Sequence, residues 1–196
     1  MTQAVKHPLK WRLADMAGTG TEHVNIVMPE LDPQSTHEIL LATDIPSPHS
    51  SKIDLSWTDE DLDLFQALVE KVLSDHDEPQ QLDLADPEII DILHMVAAAR
   101  FIEPLDADEV LADDIVTVMC EADIGELTAI HTLDGFKTCI IAELDSIEAV
   151  CVLLEPLVVE DKNIELDVYD TLVVNKHSLL PAEFGNVEPD EGTAVH

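Results

Sequence analysis

This chain has to fold against its own charge. It sets 42 Asp and Glu against nine Lys and Arg in 196 residues, a formal net charge of −33 at pH 7. Like charges repel more strongly as a chain becomes compact, so the acidity costs stability and points to a purpose outside the fold. High charge signals disorder only when hydrophobicity is also low. Here apolar residues make up 46% of the chain and the mean hydropathy is +0.08, so a core can be buried. The expected class is α+β. Residues 1–52 are expected to form an N-terminal hairpin and linker, 53–176 the main acidic domain, and 177–196 a flexible acidic tail.

Local patterns supply the elements. Residues 9–13 and 24–28 read as the two strands of a β-hairpin around a Gly- and Thr-rich loop. A short helix is expected over residues 35–42. Residues 45–51 read as a linker, because Pro46, Pro48 and three serines resist regular structure. Thr58 can cap a helix whose first turn carries Asp59, Glu60 and Asp61, matching the positive end of the helix dipole. Leu62, Phe65, Leu68, Val69, Val72 and Leu73 then recur at helical spacing. Asp86-Pro87-Glu88 opens a second helix: a cap, a proline at the first helical position, then an acid. Asp106 with Glu109 resembles a capping box ahead of Val110, Leu111, Ile115, Val118 and Met119, which predicts a third helix.

The last third reads as a β-β-α-β unit. Asp134-Gly135 is a two-residue hairpin signal between the strand-like segments 127–133 and 136–142. Asp145 or Ser146 is expected to cap a helix through Val150, Leu153 and Leu154, ended near Pro156. Residues 164–168 alternate at period two, as a half-buried strand does. From Lys176 onward the chain is polar and broken by Pro and Gly.

Catalytic signatures are missing. There is no phosphate-binding glycine loop, nucleophile elbow, Cys-x-x-Cys or His-Glu-x-x-His. Nine histidines are scattered without a pair at i, i+3 or i, i+4, so no metal is expected from spacing. The acids at Asp106, Asp108, Asp113 and Asp114, and at Asp75, Asp77 and Glu78, do not follow a calcium-loop pattern. Cys120, Cys139 and Cys151 have apolar neighbours and no cation beside them, which reads as core thiols and a reducing, cytoplasmic setting. No apolar run is long enough to span a bilayer, and residues 1–18 lack the apolar stretch of a signal peptide. No enzyme and no cofactor are expected.

What remains is the acidity. Residues 53–136 hold 23 acids and two bases, Lys71 and Arg100, so the middle is the acidic centre. Such a chain repels nucleic acid and anionic membranes, and its expected partner is a basic protein surface. Duplex DNA presents one charge per roughly 1.7 Å of axis, so ~16 carboxylates on one side would match roughly 27 Å of duplex. In composition and size the chain is similar to the DNA-mimic inhibitors made by phages and mobile elements against restriction or CRISPR systems. That similarity implies an inhibitor that occupies the basic cleft of a DNA- or RNA-binding protein, in the cytoplasm of the host cell. The acids expected to act collectively are Asp59, Glu60, Asp61, Asp63, Asp75, Asp77, Glu78, Asp83, Asp106, Asp108, Glu109, Asp113 and Asp114, each standing in for a phosphate. Two alternatives stand beside this. One is an acidic assembly chaperone, adaptor or viral structural component; the other is a salt-adapted surface, against which seven Lys to two Arg weighs.

Overall fold

Apolar residues alternate along both strands of the first hairpin, and that alternation builds one face of a sheet. The computed structural model describes residues 9–14, 23–29, 38–49, 51–74, 86–113, 116, 118 and 120–185. By contacts the chain divides into two compact units, Met1–Phe101 and Ile102–His196. The boundary expected after residue 52 falls inside the first of them.

The first unit joins a sheet to two helices. Strands β1 (Lys10–Ala14), β2 (His23–Pro29), β3 (Glu38–Pro46) and β4 (Ile53–Ser56) lie in the order β3-β2-β1-β4, all antiparallel. The expected hairpin is thus β1 and β2. Trp11 pairs with Ile26 and Leu13 with Val24, and all four side chains are buried on one face. Helices α1 (Asp59–Ser74) and α2 (Pro87–Phe101) start where their caps predict. Thr58 Oγ1 accepts the Asp61 N–H at 3.3 Å while Asp61 Oδ2 accepts the Thr58 N–H at 2.9 Å, a reciprocal capping box built with Asp. Asp86 Oδ1 accepts the Glu88 N–H at 3.0 Å. Leu64, Phe65, Leu68 and Val69 bury one stripe of α1, whereas α2 is buried more completely through Ile89, Ile92, Leu93, His94, Val96, Ala97 and Ala98.

An aromatic cluster ties these elements together. Trp11 stacks on Trp57 with centroids 4.7 Å apart, Phe101 meets Trp11 edge-on at 5.4 Å, and Phe65 meets Trp57 edge-on at 5.6 Å. The Trp11 indole N–H donates to Asp61 Oδ2 at 3.0 Å. One carboxylate therefore closes the cap of α1 and satisfies the buried donor of β1.

The second unit is built on a six-stranded sheet of order β12-β6-β7-β8-β11-β5. Its strands are β5 (Leu105–Asp106), β6 (Leu127–Thr132), β7 (Gly135–Leu144), β8 (Glu148–Leu153), β11 (Thr171–Asn175) and β12 (Leu180–Pro181). Strands β9 (Leu157–Val159) and β10 (Ile164–Leu166) form a separate two-stranded ladder. Among the described residues, only the β5–β11 pair is parallel. Ile130, Cys139, Ile141, Cys151, Leu153, Leu157, Leu172 and Val174 form its core. At the β6–β7 turn Gly135 has φ +90°, a conformation that glycine enters without a Cβ penalty.

The α+β class is observed, with four corrections to the elements. The third helix is absent from the described residues. Asp106 does cap, its Oδ1 accepting the Asp108 N–H at 3.0 Å, but it caps one 3₁₀ turn, Ala107–Glu109. The Ala112 N–H then bonds the His131 carbonyl at 3.0 Å, drawing the chain to the sheet. The β-branched Val110, Val116 and Val118 resist the helical alternative. The helix expected after Asp145 is strand β8. Asp145 Oδ1 accepts the N–H groups of Ile147 and Glu148 at 2.6 and 2.7 Å, closing a turn, and Ala149, Cys151 and Leu153 then enter the core of the unit, with Val152 buried as well. The β-β-α-β unit is accordingly all strand. The short helix expected at 35–42 is β3 from Glu38 onward, because Ile39, Leu40 and Leu41 pair with β2; residues 35–37 lie outside the described residues. The segment expected to be a flexible tail from residue 177 holds regular structure through residue 184. Leu180 pairs with Ala129, Thr128 Oγ1 donates to the Leu180 carbonyl at 2.7 Å, and residues 186–196 lie outside the described residues.

The shared role of Asp61 predicts a local stability effect. Asp61→Ala removes a cap and leaves the buried indole N–H of Trp11 without its acceptor, which together should cost about 2–4 kcal/mol. Urea unfolding followed by tryptophan fluorescence reads the first unit, since both tryptophans lie there. Asp63→Ala, at an exposed acid two residues further on, should stay within about 0.5 kcal/mol of wild type. Equal effects from the two substitutions would remove Asp61 from this role.

Candidate partner-binding surface

Acids congregate where the backbone offers N–H groups, and this places the nominated residues. Asp59, Glu60 and Asp63 are exposed in the first turns of α1. Asp61, between them, is only 5% exposed and turns inward to Trp11 and Thr58, so it presents no free charge. Asp106, Asp108, Glu109 and Asp113 are exposed in the second unit, on and after β5. Asp75, Asp77, Glu78, Asp83 and Asp114 lie outside the described residues. The described members therefore form two groups, one in each unit.

Several carboxylates have local duties. The Glu60 carboxyl sits below its ordinary range because it is held first by its own backbone N–H and then by the Thr58 hydroxyl. Asp134 is lowered by the Val158 N–H, at 3.1 Å, and by Lys137, at 3.0 Å. Asp145 is lowered by the N–H groups of Glu148 and Ile147. Such hydrogen bonds favour the charged form and keep it ionised well below neutral pH. Exposed acids also occur outside the nominated set, at Glu121, Asp123, Glu143, Glu148, Glu160, Asp161, Glu165 and Asp167. The second unit thus shows carboxylates along most of its turns.

Cations do little to offset them. Residues 102–196 carry 23 acids and three lysines, and residues 1–101 carry 19 acids and six bases. Arg12 is buried and forked onto Asp54, with Nε to Oδ1 and Nη2 to Oδ2 both at 2.7 Å, while Nη1 reaches Glu38 Oε2 at 2.9 Å. Its pairing raises the guanidinium further and holds the Asp54 carboxyl below its ordinary value. Lys137 pairs with Asp134, and Lys162 Nζ donates to the Glu109 carbonyl at 2.6 Å.

Sequence spacing missed one grouping of chemistry-bearing residues. His131 on β6 and His177 in the turn before β12 line one cavity of about 60 Å³, together with Leu111, Ala112, Val116, Ser178 and Leu180. The outer edge of β6 is shared there: β12 pairs with Thr128 and Ala129, and Leu111 bridges Thr132. His131 stacks on Phe136 at 4.4 Å, and its Nδ1 is buried without a hydrogen-bond partner. A buried polar atom left unmatched costs about 1–3 kcal/mol. The only sequence signal was the presence of two histidines far apart; their meeting depends on strand pairing. Cys139 and Cys151 are both fully buried, and the Cys139 thiol is pushed well above its ordinary value by its hydrogen bond to Cys151 and by burial. They are packing residues, as expected.

Among the described residues, no group of three or more His, Cys, Asp and Glu is placed to hold a metal, and no helix is long and apolar enough to cross a membrane. The sequence matches no protein-family model and no curated protein.

The Arg12–Asp54 fork sets a pH dependence. Asp54 has a folded-state pKa below its unfolded value of about 4, so its contribution is complete above that value. It is lost as pH falls through the lower folded-state value. Asp54→Asn should therefore destabilise the first unit near neutral pH by about 1.5–3 kcal/mol. It should also flatten the decline in stability as pH falls below about 4. Tryptophan-monitored unfolding across that range checks both; an unchanged acid limb would assign the loss to other carboxylates.

Proposed function

We propose that this protein is a non-enzymatic acidic binding protein that occupies the basic, nucleic-acid-binding cleft of a partner protein as a mimic of the polyanion. The observation that supports this reading is the imbalance in exposed charge. Exposed carboxylates stand on both units, while Arg12, Lys137 and Lys162 are turned to acceptors within the chain. A basic cleft gains from such a surface through many charge-assisted hydrogen bonds to Arg and Lys, each modest and each salt-sensitive. The carboxylates act together, so the binding energy is spread and no single Asp→Asn change is decisive.

A second reading is favoured by one observation. Acids recur on most turns of the second unit, outside the nominated set, which is the distribution expected of a salt-adapted surface. The two readings differ in their response to salt. A mimic releases its partner as ionic strength rises. A salt-adapted protein gains stability into molar salt and keeps no basic partner.

Affinity capture with the purified full chain, at about 0.1 M and about 0.5 M salt, separates them. The expected result is a DNA- or RNA-handling protein retained at low salt and displaced both by salt and by competing duplex. Reversing Asp106, Asp108, Glu109 and Asp113 to Lys together should weaken that complex severalfold and flatten its salt dependence. Unchanged affinity and salt slope would overturn the assignment of these residues. Retention of a partner indifferent to duplex would overturn mimicry in favour of an assembly role.

A further inference from the structure

We propose that the outer edge of strand β3 takes up an extended, Lys- and Arg-bearing segment of a partner protein as one more strand of the first unit's sheet. β3 ends the order β3-β2-β1-β4, and among the described residues no strand pairs with its far side. The opposite edge, β4, is four residues long, whereas β3 runs for nine. An edge of that length is a template for another chain, because its unpaired N–H and C=O groups stand in a row.

The register shows which groups face outward. In an antiparallel pair each residue turns both backbone groups to one neighbour, and successive residues alternate. The Trp57 N–H donates to the Leu9 carbonyl at 3.4 Å, so Leu9, Trp11 and Leu13 bond toward β4. Lys10, Arg12 and Ala14 therefore bond toward β2, through Val27, Asn25 and His23. Ile26 and Met28 are left to bond β3, through Leu41 and Ile39. The Val24 carbonyl follows the same alternation, accepting from the Thr43 hydroxyl at 2.6 Å. Glu38, Leu40 and Ala42 consequently turn their N–H and C=O groups away from the sheet.

Two features select the occupant. Ile39 is 44% and Leu40 54% exposed; as consecutive residues they stand on opposite faces and offer an added strand apolar contact on both. The second feature is charge. β3 carries Glu38 and Asp44, both exposed, and no base, in a unit of 19 acids and six bases. A second copy would bring its own −33 to this edge and be repelled. A basic segment is attracted, its main chain supplying affinity and its alternate side chains the choice of partner. The sign of the partner's charge is taken from the function proposed above; the edge itself needs no basic cleft.

The full chain is mixed, at about 0.15 M salt, with a blocked peptide of about eight alternating Lys and Val residues, and amide hydrogen exchange is read residue by residue. In the free chain the Leu40 and Ala42 amides should exchange fast and the Ile39 and Leu41 amides slowly. The peptide should slow Leu40 and Ala42. A Lys-Gly peptide of equal charge, a poor strand former, should bind roughly tenfold more weakly. Ala42→Pro removes an outward N–H and no bond to β2, so tryptophan fluorescence should stay native while affinity for the Lys-Val peptide falls roughly tenfold. Leu40→Lys keeps the backbone and should weaken binding as well. Leu40 and Ala42 amides already protected in the free chain would overturn the proposal, since the edge would then be covered. Equal binding of the two peptides, or binding that leaves the β3 amides unchanged, would also overturn it by assigning the attraction to surface charge. A captured partner that duplex displaces, but that leaves these amides exchanging fast, would sustain the mimic and sink the edge. Protection by the peptide with no such partner would do the reverse.

Discussion

The carboxylate of Asp61 is where the acidity of this chain becomes part of its fold. It is the one buried acid among the described residues, and it accepts two hydrogen bonds, from the Trp11 indole and the Thr58 amide. β1, the β4–α1 connection and both helices meet near it. β1 contributes Trp11, the β4–α1 connection contributes Trp57 and Thr58, α1 contributes Phe65, and α2 ends on Phe101 against Trp11. A hydroxyl or an amide at residue 61 could close the cap, yet an ionised acceptor also suits the positive end of the helix. The burial of this one charge is tolerable because both its donors are fixed by elements already packed.

The same economy recurs across the second unit at solvent-exposed turns. Asp106, Asp134, Asp145 and Asp170 each accept backbone N–H groups, and Glu155 accepts the Thr138 N–H at 2.7 Å. Turns expose amides that strands would otherwise pair, and a carboxylate satisfies them more strongly than a neutral side chain does. Part of the charge is therefore structural. Asp106 belongs to this class as well as to the nominated surface, while Asp108 and Glu109 stand exposed beside it. That division explains why acidity in sequence is a blunt guide to a binding face: the residue types that cap turns are those that imitate phosphate.

It also explains which elements were legible. The two helices could be read because a cap and a 3.6-residue apolar period agree over many residues, at Thr58 with Phe65, Leu68 and Val69, and at Asp86 with Ile89, Leu93 and Val96. The segments after Asp106 and Asp145 carry the same opening signal, but an Asp that closes a turn makes the same local hydrogen bond as one that opens a helix. What decides between them is tertiary. Ala149, Cys151, Val152 and Leu153 are buried in a strand because β7 and β11 pair with β8 on either side, which no local window contains. The Asp134-Gly135 hairpin and the 164–166 strand were readable because their signals are local. Asp61 carried a cap signal without any sign of Trp11, and the meeting of His131 with His177 had no sequence signature.

The placement of one cation, and not only the number of acids, shapes the field around the first unit. Arg12 could have neutralised part of a surface; instead it is 8% exposed, forked between β4 and β3 through Asp54 and Glu38. A guanidinium so placed ties three strands through the rigid geometry of its donors, which lysine cannot supply. Its charge is spent on two partners that would otherwise repel each other. The outward potential of this face is consequently left to the exposed side chains around it, among which Lys10 and Lys52 are the cations of β1 and the approach to β4. The second unit carries 20 acids in excess on a formal count, and that excess is what a basic partner would meet from a distance.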